Sequence, residues 1–380
     1  MKKLKVAVAG LGFIGPAHIE ALRRIPNIEV VAVSDVNEEI AQRKAAELGI
    51  EKSTANFDAL INEDIDSVHI CTPNNLHFEM AKKALLAGKH VVGEKPLATT
   101  IAQAEELVSL ANTKNLVNAV HFNIRYYPLI RQMKIMREKG ELGKVYSIIG
   151  SYLQDWLFFE TDYNWRLEPE QSGESRAIAD IGSHLIDLLE YISGLEIVEV
   201  MADFNTIHKT RKKPLKPIET YSGMMLKAGD YADVPIHTED HANVLLRFNN
   251  GNRGAITVSQ VSAGRKNRLS LELAGANQSF SWTSEQPNDL WIGKRDSYNG
   301  ALMRDPSLFN EQSRQLISFP GGHNEGFPDT SKQLFKEVYT AIANNDSSNP
   351  KYPTFKDGLR ELILCERIIE SNKKQAWVKV

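Results

Sequence analysis

The segment Ala179-Asp180-Ile181-Gly182-Ser183-His184-Leu185-Ile186-Asp187 sets an acid and an imidazole four residues apart. At 100° per residue, Asp180, His184, Asp187 and Tyr191 share one stripe of a helix. Ile181, Leu185, Leu188 and Ile192 form an apolar stripe about a quarter-turn away. A polar ridge beside a buried face suits a helix that lines a cleft. There a carboxylate can orient a hydroxyl, and an imidazole can exchange its proton near neutral pH. A solvated i,i+4 Asp–His pair would show the same spacing. No third or fourth metal ligand follows at suitable spacing, so no metal is expected.

A second cluster begins the chain. Gly10-Leu11-Gly12-Phe13-Ile14-Gly15 follows the apolar run Leu4–Ala9 and opens an amphipathic stretch. In that context the first glycine permits a tight turn and the second lets backbone approach a pyrophosphate. The third lets helix and strand pack closely, with the helix N-terminus facing the phosphates. Gly10, Gly12, Phe13, Ile14 and Gly15 thus form the expected dinucleotide cradle. Asp35 ends the second apolar run about 20 residues on, where an acid binds both ribose hydroxyls. A carboxylate there repels a 2′-phosphate, and residues 34–38 contain no Arg or Lys. NAD is therefore favoured over NADP.

These groups need elements to hold them. Apolar runs at Leu4–Ala9, Glu29–Ser34, Ser67–Cys71, His90–Gly93 and Leu116–Val120 alternate with helical patterns at Ile14–Ile25, Glu38–Leu48, Leu76–Ala87 and Ile101–Ala111. This predicts an N-terminal Rossmann domain over 1–122, a doubly wound parallel sheet buried on both faces. After a helical segment at Tyr127–Lys139, longer alternating strands follow at Val145–Gln154, Val198–Ile207, Ala242–Phe248, Ala255–Val261 and Leu269–Ala274. Asn250-Gly251 signals a tight hairpin, and Gly275-Ala276-Asn277 turns another. Residues 123–380 therefore read as a substrate-binding and oligomerisation domain, an open, largely antiparallel sheet with helices on one face. Helices at Thr330–Ala343 and Phe355–Asn372 close the chain. Lys209–Lys216 (KTRKKPLK) reads as a solvated charge run in a loop.

The chain has 380 residues, 42% hydrophobic and 24% charged, as in soluble globular proteins with more than one core. Its 45 basic and 48 acidic residues give a net charge of -3 and no electrostatic case for nucleic acid or anionic membrane. No run approaches the ~18 apolar residues of a membrane span. The apolar run after Met1-Lys2-Lys3 is too short for a signal peptide. Cys71 and Cys365 lie in separate apolar runs and read as buried free thiols in a reducing cytoplasm.

Three further segments complete one pattern: Cys71-Thr72-Pro73-Asn74-Asn75-Leu76-His77, Gly93-Glu94-Lys95-Pro96-Leu97 and Asp180-Ile181-Gly182-Ser183-His184. In order and spacing the whole chain resembles the glucose–fructose oxidoreductase / inositol dehydrogenase / rhizopine catabolism (Gfo/Idh/MocA) family. The resemblance implies an NAD-dependent oxidoreductase. In it, Lys95 hydrogen-bonds substrate and the nicotinamide ribose, Asp180 holds substrate, and His184 exchanges a proton with the reacting hydroxyl. Thr72, Asn74, His77 and Glu94 would line the dinucleotide, and the Lys95–Pro96 peptide would be cis. The chemistry suits these types: alcohol oxidation needs a base for the hydroxyl proton and a cation near the oxygen.

Sugars are bound by aromatic faces and paired polar groups. Candidates are Asn123 (also placed near the dinucleotide), Arg125 and Tyr126; Gln154, Asp155 and Trp156; Trp165 and Arg166; and His323 in a glycine-rich loop. Trp156 and Trp165 could equally be core, and Arg125 could simply pair with a carboxylate. The expected activity is oxidation of a secondary hydroxyl of a cyclic polyol, sugar or pyranoside to a ketone. A glycosidase using NAD transiently and a non-catalytic dinucleotide-binding regulator are the alternatives. Retention of Lys95, Asp180 and His184 together weighs against the regulator. Assembly into homodimers or homotetramers is expected through the outer face of the second sheet, with Trp282, Trp291 and Ile292 supplying apolar area.

Overall fold

Six short, mostly apolar segments pair side by side in the N-terminal part. They are β1 (Leu4–Ala9), β2 (Ile28–Ser34), β3 (Lys52–Thr54), β4 (Ser67–Ile70), β5 (His90–Gly93) and β6 (Asn118–Val120). All pair in parallel, in the order β3-β2-β1-β4-β5-β6. Every residue of β4 is buried, as expected for a strand covered on both faces. This is the doubly wound Rossmann order, in which the reversal between β1 and β4 opens a crevice at the strands' carboxyl ends. Local signals set the helix ends. Asn37 caps the helix Glu38–Leu48 by accepting from the Glu39 and Ile40 amides, and Gly49 closes it at φ 62°.

The computed structural model describes residues 3–215 and 228–380, which form two compact units. The first unit combines Met1–Asn123 with Glu170–Gly173 and Pro328–Leu362. The late helix Phe355–Lys374 begins in it, close to β6. A Cβ at Gly358 would lie 2.8 Å from Val120 and 2.9 Å from Leu97.

The second unit comprises Ile124–Pro169, Glu174–Phe327 and Ile363–Val380. Its strands are β7 (Val145–Leu153), β8 (Ile197–Asn205), β9 (Thr210–Pro214), β10 (Tyr231–Pro235), β11 (His241–Phe248) and β12 (Arg253–Ser259). There follow β13 (Arg268–Gly275), β14 (Ser279–Thr283), β15 (Asp289–Gly293), β16 (Gly300–Met303) and β17 (Val378–Lys379). Nine of them form one sheet, β16-β15-β14-β13-β7-β12-β11-β8-β17, while β9 and β10 pair separately. Both expected hairpins are present, with Gly251 at φ 86° in the first. The sheet is largely antiparallel, but β7 and β12 run parallel, which short-turn connections alone do not anticipate.

The helix Ser183–Ser193 packs on the inner face of this sheet, and Gly150 of β7 makes room for it. A Cβ there would meet Leu185 at 2.8 Å. The outer face differs from expectation. Trp282 is 2% exposed and Ile292 packs against the same core, so both face inward; only Trp291 of the three points outward, at 41% exposure. A row in register across eight strands lies on the outside: Met201, Leu245, Ala255, Ile149, Glu272, Ser281, Trp291 and Ala301.

The basic run is also corrected. Thr210–Pro214 is a strand, and Arg211 within it is fully buried. Its guanidinium bonds Asp240 and the carbonyls of Leu157, Phe159 and Asp162, partners that the local sequence does not reveal. Lys216 lies outside the described residues.

Candidate active site

In the first unit the glycines separate by cause. A Cβ at Gly10, where φ is 90°, would lie 2.5 Å from the Cys71 carbonyl, and one at Gly15 would lie 2.0 Å from the Gly10 carbonyl. Packing alone forbids side chains at both. At Gly12 a Cβ would meet nothing within 4 Å. That open space at the start of the helix Ile14–Arg23 is the cradle a pyrophosphate requires, so the residues fit a dinucleotide. The Leu11 amide donates to Asp35 Oδ2 at 2.7 Å and the Val36 amide to Oδ1 at 2.8 Å. Asp35 is thereby fixed at the end of β2.

Thr72, Asn74, His77, Glu94 and Lys95 follow the carboxyl ends of β4 and β5. The Thr72 hydroxyl donates to the Met80 sulfur at 3.5 Å, and Asn74 donates to the Ser172 carbonyl at 3.0 Å. The Lys95–Pro96 peptide is cis. Buried His77 brackets it: Nδ1 lies 2.7 Å from the Pro96 carbonyl and Nε2 2.8 Å from that of Thr72. Burial outweighs these two acceptors and lowers the His77 pKa. Asn123 is buried and donates to the Thr330 hydroxyl at 2.7 Å.

The Glu94 carboxylate turns inward to a cluster the sequence did not disclose. Its Oε1 lies 3.0 Å from His18 Nε2 and 2.7 Å from His121 Nδ1, while Oε2 accepts from the Lys95 amide at 3.3 Å. His18 Nδ1 lies 2.9 Å from His69 Nδ1 and 3.3 Å from the Cys71 sulfur. His69 Nε2 meets the Tyr339 hydroxyl at 2.8 Å, which meets that of Ser67 at 2.7 Å. His121 Nε2 meets the Ser331 hydroxyl at 2.9 Å. One proton assignment satisfies the chain of ring and hydroxyl contacts: Ser67 donates to Tyr339, Tyr339 to His69, His69 to His18, Ser331 to His121, and both His18 and His121 to an ionised Glu94, while the Cys71 sulfur packs beside His18 Nδ1. Burial holds His18 down at about 4 and His69 well below the usual imidazole range. Burial raises the Glu94 pKa, but His121 and His18 outweigh it and keep the carboxyl ionised. His18, Glu94 and His121 are also the kinds of groups that hold metals. In this network, however, each is already committed to a hydrogen bond.

In the second unit, Asp180 lies in a π-helical turn, Ile178–Gly182, that runs into the α-helix Ser183–Ser193. The wider turn breaks the even 100° stripe expected from the sequence and re-aims Asp180 relative to His184, a feature common at functional sites. Asp180 and His184 are both half-buried. Asp180 Oδ2 accepts from Gln260 Nε2 at 2.9 Å and Oδ1 from Arg166 Nε at 3.3 Å. The Arg166 guanidinium lies over Trp165 at 4.5 Å and over Trp156 at 5.7 Å. Asp180, Arg166, Trp165 and Trp156 thus form one aromatic and polar wall.

Other candidates have structural partners. Arg125 forms a bidentate pair with buried Asp187, donating from Nε at 2.8 Å. Asp187 is thereby removed from the reactive stripe. Tyr126 is buried beneath Arg131. Asp155 accepts from the Gly264 amide at 3.0 Å and from Lys266 at 2.7 Å. His323 is exposed on a loop whose carbonyls bond Arg304, itself paired with buried Glu325. Gln260, fully buried yet bonded to Asp180, escaped sequence reading, because nothing local distinguishes it from any strand-end glutamine.

Residues 4–122 match the oxidoreductase family with the NAD-binding Rossmann fold, and residues 130–281 match the GFO/IDH/MocA C-terminal domain. The chain belongs to the Gfo/Idh/MocA family of NAD-binding oxidoreductases. It is 30% identical to the levoglucosan dehydrogenase of Pseudarthrobacter phenanthrenivorans over 100% of this chain and 99% of that one. A solved levoglucosan dehydrogenase in complex with NADH and levoglucosan has a TM-score of 0.88 at 29% identity, covering 100% of this chain and 99% of its own. The myo-inositol 2-dehydrogenase of Thermotoga maritima is 29% identical over 68% of this chain and 69% of its own.

Two outcomes follow from this geometry. Titration should show tighter binding of NAD than of NADP, and Asp35→Ser should narrow that ratio by about tenfold through loss of charge repulsion. Equal affinities in the unaltered protein would contradict the role of Asp35. Because folded His18 titrates near 4 and an unfolded imidazole near 6.5, the unfolded chain binds more protons in that window. Stability should therefore fall as pH drops from about 6.5 toward 4, with His18 contributing ~2 kcal/mol of the loss between pH 7 and 5. Urea melts at those two pH values should show a smaller difference for His18→Gln. An unchanged difference would show that His18 is not held neutral.

Proposed function

We propose that this protein oxidises a secondary hydroxyl of a sugar, pyranoside or cyclic polyol to a ketone, with Lys95, Asp180 and His184 as its catalytic residues. The observation that carries this is the Asp180 wall. A half-buried carboxylate held in place by Gln260 and Arg166 lies beside a base and indole faces suited to a sugar ring, and a carboxylate can accept from a substrate hydroxyl. Similarity along the whole chain to a levoglucosan dehydrogenase supports the pyranose class.

His184 takes the hydroxyl proton as the carbinol hydrogen departs, so a neutral imidazole is the active form. Lys95 is the cation assigned to stabilise charge developing on a substrate oxygen. Asp180 accepts from a neighbouring hydroxyl and sets the ring's orientation. Asp35 accepts from the ribose hydroxyls, and the backbone at Gly10, Gly12, Phe13, Ile14 and Gly15 receives the pyrophosphate. Thr72, Asn74, His77, Glu94 and Asn123 shape the rest of that pocket. NAD held there would supply the hydride acceptor. Trp165 and Arg166 belong to the substrate wall, while the internal pairing of Arg125, Tyr126 and Asp155 suits support around it. His323 remains a candidate for the rim.

The exposed Ile149, Leu245 and Trp291, in register on the outer face of the nine-stranded sheet, support a homodimer or homotetramer through that face. The buried free thiols Cys71 and Cys365 fit a reducing, cytoplasmic setting.

His184→Ala should lower turnover about 10²–10⁴-fold and remove the neutral-pH inflection, with NAD affinity nearly intact. Lys95→Ala should impair turnover and substrate binding together, and Asp180→Asn should mainly raise KM. Normal turnover by His184→Ala with its pH profile unchanged would place the base elsewhere. Light scattering at micromolar concentration should give a dimer or tetramer mass; a monomer mass would remove the role given to the outer face.

A further inference from the structure

We propose that Gln260, Arg176 and Asp240 are positioning residues that fix the Asp180 carboxylate, with Glu239 fixing the backbone that carries it. The proposal rests on the reading of Asp180 as the substrate-holding acid. Gln260 donates to Asp180 Oδ2 at 2.9 Å, so its Oε1 must act as acceptor, and Arg176 Nη1 supplies that donor at 3.3 Å. Reversing the amide would set oxygen against oxygen. Arg176 then uses its other edges on the Thr238 hydroxyl, from Nε at 3.2 Å, and on Asp240. The Gln260 amide donates to the Asp240 carbonyl at 2.9 Å, closing the ring of contacts.

Asp240 has a second set of partners. Its Oδ1 also accepts from Arg211 at 2.8 Å, and Oδ2 accepts from the Ile207 and His208 amides at 2.8 and 3.0 Å. Arg211 holds the carbonyls of Leu157, Phe159 and Asp162, the stretch that follows Trp156. Both the Trp156 segment and Asp180 are therefore tied to one buried carboxylate. Glu239 Oε1 accepts from the Ser175 hydroxyl at 2.7 Å and from the Arg176 and Ile178 amides at 3.0 and 2.9 Å. Those amides belong to the start of the π-turn that bears Asp180, where an anion offsets the helix dipole.

Arg176, Arg211, Glu239, Asp240 and Gln260 are each at most 2% exposed. Well-packed apolar residues often replace such buried charges with no loss of stability, so fold stability alone is a weak reason for two arginines and two acids here. Holding a half-buried carboxylate in one orientation for a substrate hydroxyl is the function the directionality serves.

The test compares Gln260→Leu, Asp180→Asn and the double variant in the full chain. The probe is whichever of levoglucosan, glucose and myo-inositol the unaltered protein oxidises fastest. Gln260→Leu should raise KM about tenfold with NAD affinity within about twofold, and should add nothing in the Asp180→Asn background. A purely structural role would instead lower thermal stability and act equally in both backgrounds. If Asp180→Asn is impaired while folded Gln260→Leu keeps its KM, or if the two effects simply add, the positioning role is overturned. If Asp180→Asn behaves as the unaltered protein, it is the assignment of Asp180 that fails. Should Gln260→Leu not accumulate, Gln260→Glu retains the bond to Arg176 and sets a carboxylate against Asp180; it must show the same raised KM and the same non-additivity.

Discussion

In each unit a buried carboxylate held by several donors fixes the backbone that carries a residue of the proposed site. In the first unit Glu94 is ionised between His18 and His121, and its second oxygen accepts from the amide of Lys95. In the second, Glu239 accepts from the amides that begin the Asp180 turn, and Asp240 joins two guanidinium groups. Such groups are costly to bury and strongly destabilising when half-satisfied. Their value lies in direction: each permits few arrangements of its neighbours, and the backbone so held carries Lys95 in one unit and leads into the Asp180 turn in the other.

The glycines show the same division between packing and function. Gly10 and Gly15 are required by their own chain, since any Cβ collides with backbone. Gly12 is free of such collisions, so its lack of a side chain leaves space outward for a ligand. Gly150 lets the helix with His184 lie close to β7. Four chemically identical residues thus divide among a tight turn, an open space at a helix start and a helix–sheet contact, and only their surroundings separate them.

The sequence made legible whatever repeats at short range. Strand alternation, the glycine spacing, Asp35 after β2 and the Asn250-Gly251 hairpin all emerge from neighbours within a few residues. The resemblance carried by Glu94-Lys95-Pro96 and Asp180-x-x-x-His184 extended this to the family. What stayed hidden depends on distant partners. Arg211 looks solvated within a basic run because Asp240 and three carbonyls arrive from other segments. Trp282 and Trp291 belong to neighbouring strands and take opposite faces, a distinction that strand parity decides and composition does not. The histidine cluster gathers residues from five separate stretches of the first unit, and the π-turn interrupts a periodicity that read as an unbroken α-helix.

Net transfer of hydride from a sugar carbinol to NAD is the central claim. Incubating the purified protein with NAD and levoglucosan, glucose and myo-inositol in turn, while following absorbance of the reduced cofactor, tests it directly. Reduced nicotinamide should accumulate with at least one of them, in step with formation of a ketone. Bond cleavage of a glycoside without net reduced cofactor, or NAD binding with no turnover across pyranosides and polyols, would contradict it.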